Sequence, residues 1–472
     1  MKKISFGTDG WRGILAEDFT FDNVRLVARA VARYINAHNL AARGVVVGYD
    51  NRFMSERFAS EIGAVLAEQG ITVYLTARST PTPVVALAVW LQQAGGAVML
   101  TASHNPAEYN GFKFIPEYAG PALPHITAEI EDNIRELQGS DTAGEDSRTV
   151  TSKAAVITID PYGAYAEHLA SLVDMGAIGE AGLKIAVDPM CGAGVGYLED
   201  LLTRAGAEVV GIHCHRDPLF GGNLPEPTAK SLQELRQIVV EGGARLGLAL
   251  DGDADRFGII DANGEFITPN QFLPLLYYHL LTCRGLQGPA ARTVATTHLL
   301  DRMAERRGLQ VFETPVGFKY IGQCILEQGV IMGGEESGGL SIQGHIPEKD
   351  GILAGLLAAE IVAVHGKSLT TLLEELAEEY GLFYSERLDV HTSPDEKERV
   401  LGVLQSFMPE EVARRKVTGS SSVDGVKLLL EGGAWVLIRA SGTEPLFRIY
   451  VEAGSQEEIK KIQVATRSLL EL

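Results

Sequence analysis

The chain has 472 residues, 46% of them hydrophobic, which is enough to bury several cores and implies about three or four domains. Its formal net charge of −20 argues against a nucleic-acid or anionic-membrane surface, since either would require a basic field; an anionic ligand must be met by locally gathered arginines and lysines. Met1-Lys2-Lys3-Ile4-Ser5-Phe6-Gly7 lacks an apolar run of signal-peptide length, and Cys191, Cys214, Cys283 and Cys324 lie far apart without any C-x-x-C, so reduced thiols and a cytoplasmic location are expected.

Apolar strand-like runs recur in three groups. Gly44 to Gly48, Ile71 to Leu75 and Ala97 to Leu100 form the first; Lys184 to Val187, Ala207 to Gly211 and Leu246 to Leu250 the second; Thr293 to Thr296, Leu309 to Phe312 and Gly329 to Met332 the third. Amphipathic helical stretches such as Glu56 to Gln69 and Tyr197 to Arg204 lie between them. The uncharged run between Arg78 and Glu108 is broken by prolines and glycines into a helix and a strand, and does not read as a membrane span. After about Ser368 the pattern changes: Val426 to Glu431, Ala434 to Arg439 and Leu446 to Glu452 are close-spaced, β-rich and separated by glycine-containing turns, and Gln456 to Leu470 reads as a closing helix. The expected architecture is three consecutive doubly wound α/β domains, products of duplication in this reading, followed by a C-terminal α+β domain with an antiparallel sheet. The boundaries are 1–155, 156–258, 259–368 and 369–472.

The motifs follow in chain order. In Phe6-Gly7-Thr8-Asp9-Gly10-Trp11-Arg12-Gly13, one arginine sits in a glycine-rich turn and offers a bidentate fork for phosphate; alone, this is equally a flexible N-terminal turn. Thr101-Ala102-Ser103-His104-Asn105-Pro106, with Asn110-Gly111-Phe112-Lys113, leaves a strand end, where α/β proteins keep their chemistry. Ser103 has His104 and Lys113 within reach, though a hydrolase nucleophile elbow would need glycine where Thr101 and Asn105 stand; a turn capped by Asn-Pro is the plainer reading. His213-Cys214-His215 has no second ligand pair and reads as an ordinary strand end.

Asp251-Gly252-Asp253-Ala254-Asp255-Arg256 leaves the strand Leu246 to Leu250 with carboxylates at alternate positions. These can converge on a hard cation such as magnesium; an EF-hand fails for want of its glycine and glutamate, while a phosphatase with an aspartyl nucleophile survives locally. Gly333-Gly334-Glu335-Glu336-Ser337-Gly338-Gly339 carries no cation and suits the hydroxyls of a sugar, or else is a glycine-rich turn. Thr314-Pro315-Val316-Gly317-Phe318-Lys319 and His345-Ile346-Pro347-Glu348-Lys349-Asp350-Gly351 add titratable groups. Arg439-Ala440-Ser441-Gly442-Thr443-Glu444-Pro445, with Arg448 beyond it, makes an anion nest without a nucleophile–base pair, or a polar hairpin turn.

Together these loops resemble the α-D-phosphohexomutase family, the phosphoglucomutases and phosphomannomutases, in order along nearly the whole chain. The resemblance implies four domains around a central cleft, Ser103 as the phosphoserine, and one Mg²⁺ held by Asp251, Asp253, Asp255 and a phosphoserine oxygen. It implies that Arg12, His104, Lys113 and Lys349 surround the transferring group, with Lys349 as general acid/base candidate. Glu335 and Ser337 would bind sugar hydroxyls; Arg439, Ser441, Gly442, Thr443 and Arg448 would hold the non-reacting phosphate; and Gly317 and Lys319 join the substrate-binding set. The implied reaction interconverts hexose 1-phosphate and hexose 6-phosphate through a hexose 1,6-bisphosphate, with glucose 1,6-bisphosphate as activator and intermediate. GEESGG looks like the glucose-type loop and lacks the histidine of the GEMSGH loop of mannose/glucose enzymes, so glucose phosphate leads, mannose phosphate or dual use comes second and glucosamine phosphate third. The non-mutase alternatives are a magnesium-dependent sugar phosphatase using Asp251 and a sugar-phosphate-binding protein without turnover. The expected partners are small hexose phosphates, with no nucleic acid and no membrane, in a monomer or homodimer.

Overall fold

The computed structural model describes residues 4–7, 9–139, 153–441 and 445–472. They form four sheets, the first three built on one plan. In the first, Val45–Tyr49 lies between Val73–Thr76 and Gly96–Leu100, all parallel, and Val156–Ile159 extends the Val73–Thr76 side. Tyr109–Pro116 and then Trp11–Ile14 add antiparallel strands beyond Gly96–Leu100. In the second, Lys184–Asp188 lies between Glu208–Gly211 and Leu246–Leu250, with Phe257–Asp261 and Phe266–Ile267 antiparallel at the edge. In the third, Ala290–Thr293 lies between Val311–Thr314 and Met332–Glu335, with Gly339–Ile342 antiparallel outside.

The strand order reverses at the first parallel strand of each sheet, so the loops after the first and third parallel strands flank a crevice at the carboxyl edge. The third parallel strand delivers Ser103 in one domain, Asp251 in the next and Glu335 in the third. The fourth sheet is wholly antiparallel, in the order Tyr384–His391, Leu446–Ala453, Trp435–Ala440, Val426–Leu430, Arg415–Ser421 and Glu411–Val412, with Gln456–Leu470 packed against it.

Two helices bind the domains together because nearly all their residues are apolar, Glu360 being the one charged residue within them. Thr82–Gln92 of the first domain is buried from Thr82 to Val89, and its Val84–Val89 side chains share a core cluster with Leu250, Ala254 and Leu357. Gly351–His365 is likewise buried over most of its length and is started by the Asp350 side chain, which accepts from the Leu353 amide. Among the described residues no single helix is long and apolar enough to cross a membrane.

Several expected elements shift. The third group moves along the chain. Ala290–Thr293 is the strand and Val294 to Thr296 a turn, because buried Arg292, which breaks the apolar pattern, is ion-paired to Asp301 and Glu313 (2.6 and 2.7 Å). Leu309 to Phe312 gives way to Val311–Thr314 and Gly329 to Met332 to Met332–Glu335, so Gly333-Gly334-Glu335 is strand rather than loop. Arg12 stands on an edge strand rather than in a turn, paired in register with Gly111. Val156–Ile159, placed after the first expected boundary, pairs within the first sheet, and Phe266–Ile267 within the second. Leu369–Tyr380, assigned to the last domain, buries Leu369, Leu372 and Leu376 in the cluster that holds Leu276 and Leu300.

The first two domains meet at their loops. Asn51 donates to the carbonyls of Cys191 and Gly192 (2.9 and 2.7 Å), and a β-carbon at Gly252 would run into the Ser103 carbonyl oxygen. Gly252→Ala therefore forces the serine and aspartate loops apart, and a loss of about 1–3 kcal/mol is expected, read as a lower denaturant midpoint at unchanged slope, with activity falling alongside.

Candidate active site

Ser103 leaves the strand end with φ of 50° and 1% of its surface exposed. Its amide donates to Thr101 Oγ1 (2.8 Å), and its hydroxyl donates to Asp251 Oδ2 (2.7 Å) and lies 3.2 Å from His104 Nδ1. The loop is held from below by Arg52, which is fully buried. Its guanidinium donates to the carbonyls of Ser103, Asn105, Pro106 and Tyr109 (2.6 to 3.0 Å), and its Nε to Asp50 (3.1 Å). One planar donor fork therefore fixes four carbonyls of the serine loop. Arg12 joins from the neighbouring strand by donating to the Asn105 side chain.

Asp251, Asp253 and Asp255 each offer an oxygen within 4.8 Å of the others, and all are buried. Lys113, on the strand beside the serine loop, reaches Asp253, Asp255 and Asp9 (2.9, 3.0 and 2.9 Å). Lys349 reaches Asp9, Asp255 and Glu348 (3.3, 3.3 and 3.4 Å). Thr82, at the start of its helix, donates its hydroxyl to Asp253 (2.6 Å), aiming the positive helix end at that carboxylate.

The electrostatics follow from this packing. Burial, then Asp253 and Asp255, push the Asp251 carboxyl well up; burial works against Asp253 too, but Lys113 outweighs it and holds that group down. Burial opposes charge on Lys113 and Lys349, yet the surrounding carboxylates keep both ammonium groups well above their ordinary value. Burial, followed by the charges of Arg256 and Arg12, drives His104 down to about 2, and burial raises Glu348 to about 7. His104 is thus a neutral imidazole beside the serine.

The donor set fits a hard cation. Asp253 Oδ1 and Asp255 Oδ1 are buried without a hydrogen-bond partner among the described residues, while their Oδ2 atoms take Lys113, and unpartnered buried carboxylate oxygens on one loop are what magnesium requires.

The remaining predicted residues divide. Glu335 is buried, accepts from Ser337 Oγ (2.7 Å) and feels the charges of Lys349 and Arg256, so it faces the same centre. Glu336 is turned to Thr293 and Thr296 (2.8 and 3.3 Å). Gly317 caps the helix Phe318–Glu327, and Lys319, lowered by burial, senses the charge of Asp9. On the last domain Arg439 and Arg448 stand directly opposite across two strands. Like charges so placed repel unless an anion lies between them; Arg439 meets Asp424 (2.8 Å), and Arg448 Nε is buried without a partner among the described residues. The Ser441 carbonyl accepts from Lys397 (2.6 Å), while Gly442 and Thr443 lie outside the described residues.

Sequence reasoning passed over Asp50, Arg52 and Thr82. Asp50-Asn51-Arg52 follows the first predicted strand, and the strand-end rule that selects Ser103 selects it as well. Asp9, Arg256 and Glu348 stand inside motifs read for other residues.

Models of phosphoglucomutase/phosphomannomutase match the chain in all four parts: α/β/α domain I over residues 3–140, domain II over 163–264, domain III over 268–380 and the C-terminal domain over 393–469. The chain belongs to the phosphoglucomutase/phosphomannomutase family. This phosphohexomutase, an isomerase acting by intramolecular phosphotransfer, is 33% identical to a phosphoglucomutase/phosphomannomutase of Thermococcus kodakarensis over 99% of its own length and 98% of that protein's. It is 33% identical to a Methanothermobacter thermautotrophicus protein named as a probable phosphoglucosamine mutase, over 99% and 97% of the two chains. A Thermus thermophilus structure named as a phosphomannomutase superposes with a TM-score of 0.85 at 36% identity, covering 100% of this chain and 99% of that one.

Two outcomes follow for the phosphohexomutase. Arg52→Met leaves Asp50 buried and uncompensated, so a loss of about 3–5 kcal/mol is expected, measured by equilibrium unfolding. Because the folded pKa of His104 lies below its unfolded value, the unfolded chain takes up the extra proton, so this group's contribution to stability is complete above about pH 6.5 and falls as pH drops from there toward 2. His104→Gln should flatten that part of the stability–pH curve, and the imidazole resonance of His104 should not titrate between pH 8 and 5.

Proposed function

We propose that this phosphohexomutase interconverts glucose 1-phosphate and glucose 6-phosphate, with Ser103 as the phosphoryl carrier. The observation that carries the reading is the 2.7 Å contact of Ser103 Oγ with Asp251, where the loops of the first two sheets converge and Lys113 and Lys349 gather charge. A magnesium ion on Asp251, Asp253, Asp255 and a phosphoserine oxygen would neutralise charge on the transferring group.

In the forward half-reaction the P–O bond to Ser103 breaks and a P–O bond to the free sugar hydroxyl forms. The hydroxyl gives up its proton, and the serine oxygen takes one. Lys349 is the candidate proton handler; with three carboxylates holding it charged, it would give its proton to the serine oxygen and regain one from the sugar hydroxyl. Arg12 and Lys113 flank the group in transit, and neutral His104 hydrogen-bonds without adding charge. Glu335 and Ser337 would take sugar hydroxyls, and Arg439, Arg448 and the Ser441-Gly442-Thr443 loop would take the phosphate that does not react, with Gly317 and Lys319 lining the entry. The 1,6-bisphosphate then turns around and returns its other phosphate to Ser103.

Glucose is favoured because Gly339 stands where the GEMSGH loop of mannose/glucose enzymes carries histidine. A β-carbon at 339 would meet the Lys349 side chain at 2.5 Å, so Lys349 fills that space.

The test is intact mass with peptide mapping of Ser103, before and after excess sugar 1-phosphate and magnesium. Phosphate should sit on Ser103 through turnover, Ser103→Ala should lose activity by at least 10³-fold on the order expected for loss of a nucleophile, and glucose 1-phosphate should give a higher kcat/KM than mannose or glucosamine 1-phosphate. Activity intact in Ser103→Ala would instead favour Asp251 as nucleophile. Arg448→Ala should raise KM about 10- to 100-fold, as for loss of a charge-assisted hydrogen bond, with a smaller effect on the charging of Ser103 by glucose 1,6-bisphosphate; equal loss in both assays would remove Arg448 from phosphate recognition.

A further inference from the structure

A second cluster of ligating groups lies in the third domain, on elements that carry no residue of the active site. His279 and Cys283 are four residues apart at the end of the helix Pro269–Thr282, on one face of it, and His365 is the last residue of the helix Gly351–His365. His279 Nδ1 lies 3.3 Å from His365 Nε2, and His365 Nε2 lies 3.5 Å from Cys283 Sγ. All three atoms fall within 4.8 Å of one another. A tetrahedral zinc ion, with bonds of about 2.05 Å to nitrogen and 2.3 Å to sulfur, sets nitrogens about 3.3 Å apart and nitrogen and sulfur about 3.6 Å apart. The two observed separations match those edges.

The orientation of His279 is fixed from behind. Its Nε2 lies 2.9 Å from Glu360 Oε1, and Glu360 is itself held by Arg284, through Nε (2.8 Å) and a bond from Nη2, and by the Asp174 amide (3.0 Å). Both Glu360 oxygens accept, Oε1 from Arg284 Nε and Oε2 from Arg284 Nη2 and the Asp174 amide, so the carboxylate meets His279 as an acceptor. The His279 proton is therefore on Nε2, and the Nδ1 lone pair, on a residue only 1% exposed, is aimed at His365 and Cys283. A carboxylate bonded to the far nitrogen of a ligating imidazole is the usual support of a metal-bound histidine. Two helix carboxyl ends also converge here, which favours a cation; the nearby positive groups are engaged, Arg284 by Glu360 and Lys367 by Glu375 (2.6 Å).

We propose that His279 Nδ1, His365 Nε2 and the Cys283 thiolate form a binding site for a divalent transition metal, zinc above all, that clips the helix Pro269–Thr282 to the helix Gly351–His365. Cys283 is exposed, so the fourth position opens to solvent. Binding releases the thiol proton and forms three metal–ligand bonds, with no change of oxidation state. Two imidazoles and a thiolate suit zinc and not magnesium, whereas the three aspartates offer the oxygens magnesium accepts, so excess Mg²⁺ occupies the active site and leaves this one free.

The test uses the full chain, stripped with chelator and returned to excess Mg²⁺ to fill the oxygen site, then titrated with Co²⁺ and competed with Zn²⁺. One equivalent of Co²⁺ should give an intense near-ultraviolet thiolate-to-cobalt band with tetrahedral visible bands, and Zn²⁺ should abolish both. Cys283→Ser, a change at an exposed position, should remove the thiolate band and weaken zinc binding at least tenfold without altering mutase activity in Mg²⁺. As a check without mutation, Zn²⁺ should slow alkylation of Cys283 but not of Cys214. Absence of the thiolate band, or alkylation of Cys283 at one rate with and without zinc, overturns the proposal and leaves the three side chains as a hydrogen-bonded cluster.

Discussion

Buried carboxylates cannot crowd one junction unless cations stand between them. Asp9, Asp251, Asp253, Asp255 and Glu348 meet where the first three domains converge, and Lys113 and Lys349, each touching three of them, make that crowding tolerable. Three segments far apart in the chain are thereby fixed relative to one another: the N-terminal turn, the aspartate loop and the loop before Gly351–His365. The same arrangement leaves Asp253 Oδ1 and Asp255 Oδ1 without partners among the described residues, so the interaction that holds the domains also leaves acceptor capacity for a cation.

Around this junction the fold repeats one device. Each α/β sheet reverses its strand order at its first parallel strand and sends a polar segment from its third parallel strand into the crevice, with serine in the first case, aspartates in the second and glutamate in the third. The last domain is fastened to the third by another buried cation. Lys427 Nζ donates to the Val294 carbonyl and to Glu313 (2.7 and 2.9 Å) and lies over the Trp435 ring, and the Val316 amide donates to Asp424, the carboxylate that also holds Arg439. Arg439 is therefore oriented through the third domain rather than by its own hairpin alone.

Much of this is legible because it obeys short-range rules. Leu246–Leu250 and the helix Gln456–Leu470 match their sequence bounds, since an unbroken apolar run or a clean helical period needs no information from elsewhere. The third sheet departs from its pattern because Arg292 is buried by partners 9 and 21 residues away, which no periodicity records. Gly333-Gly334-Glu335 reads as a loop because glycines act as punctuation, whereas here they let Ile321 and Leu273 pack against a strand that would otherwise collide with them. Leu369–Tyr380 has the helical pattern of either neighbouring domain, and only its contacts assign it to the third.

By itself the sequence determined the order of four sheets and the polar motifs at their strand ends, because strand-end polar motifs and hydrophobic periods are local properties of the chain. Tertiary structure decided which side chains serve those loops. Arg52 under the serine, Asp9 between two lysines, Glu336 turned away from Glu335, and His365 brought to Cys283 are all set by packing between segments distant in sequence, where burial strips water from each polar group and leaves it to be satisfied by whatever the fold places beside it.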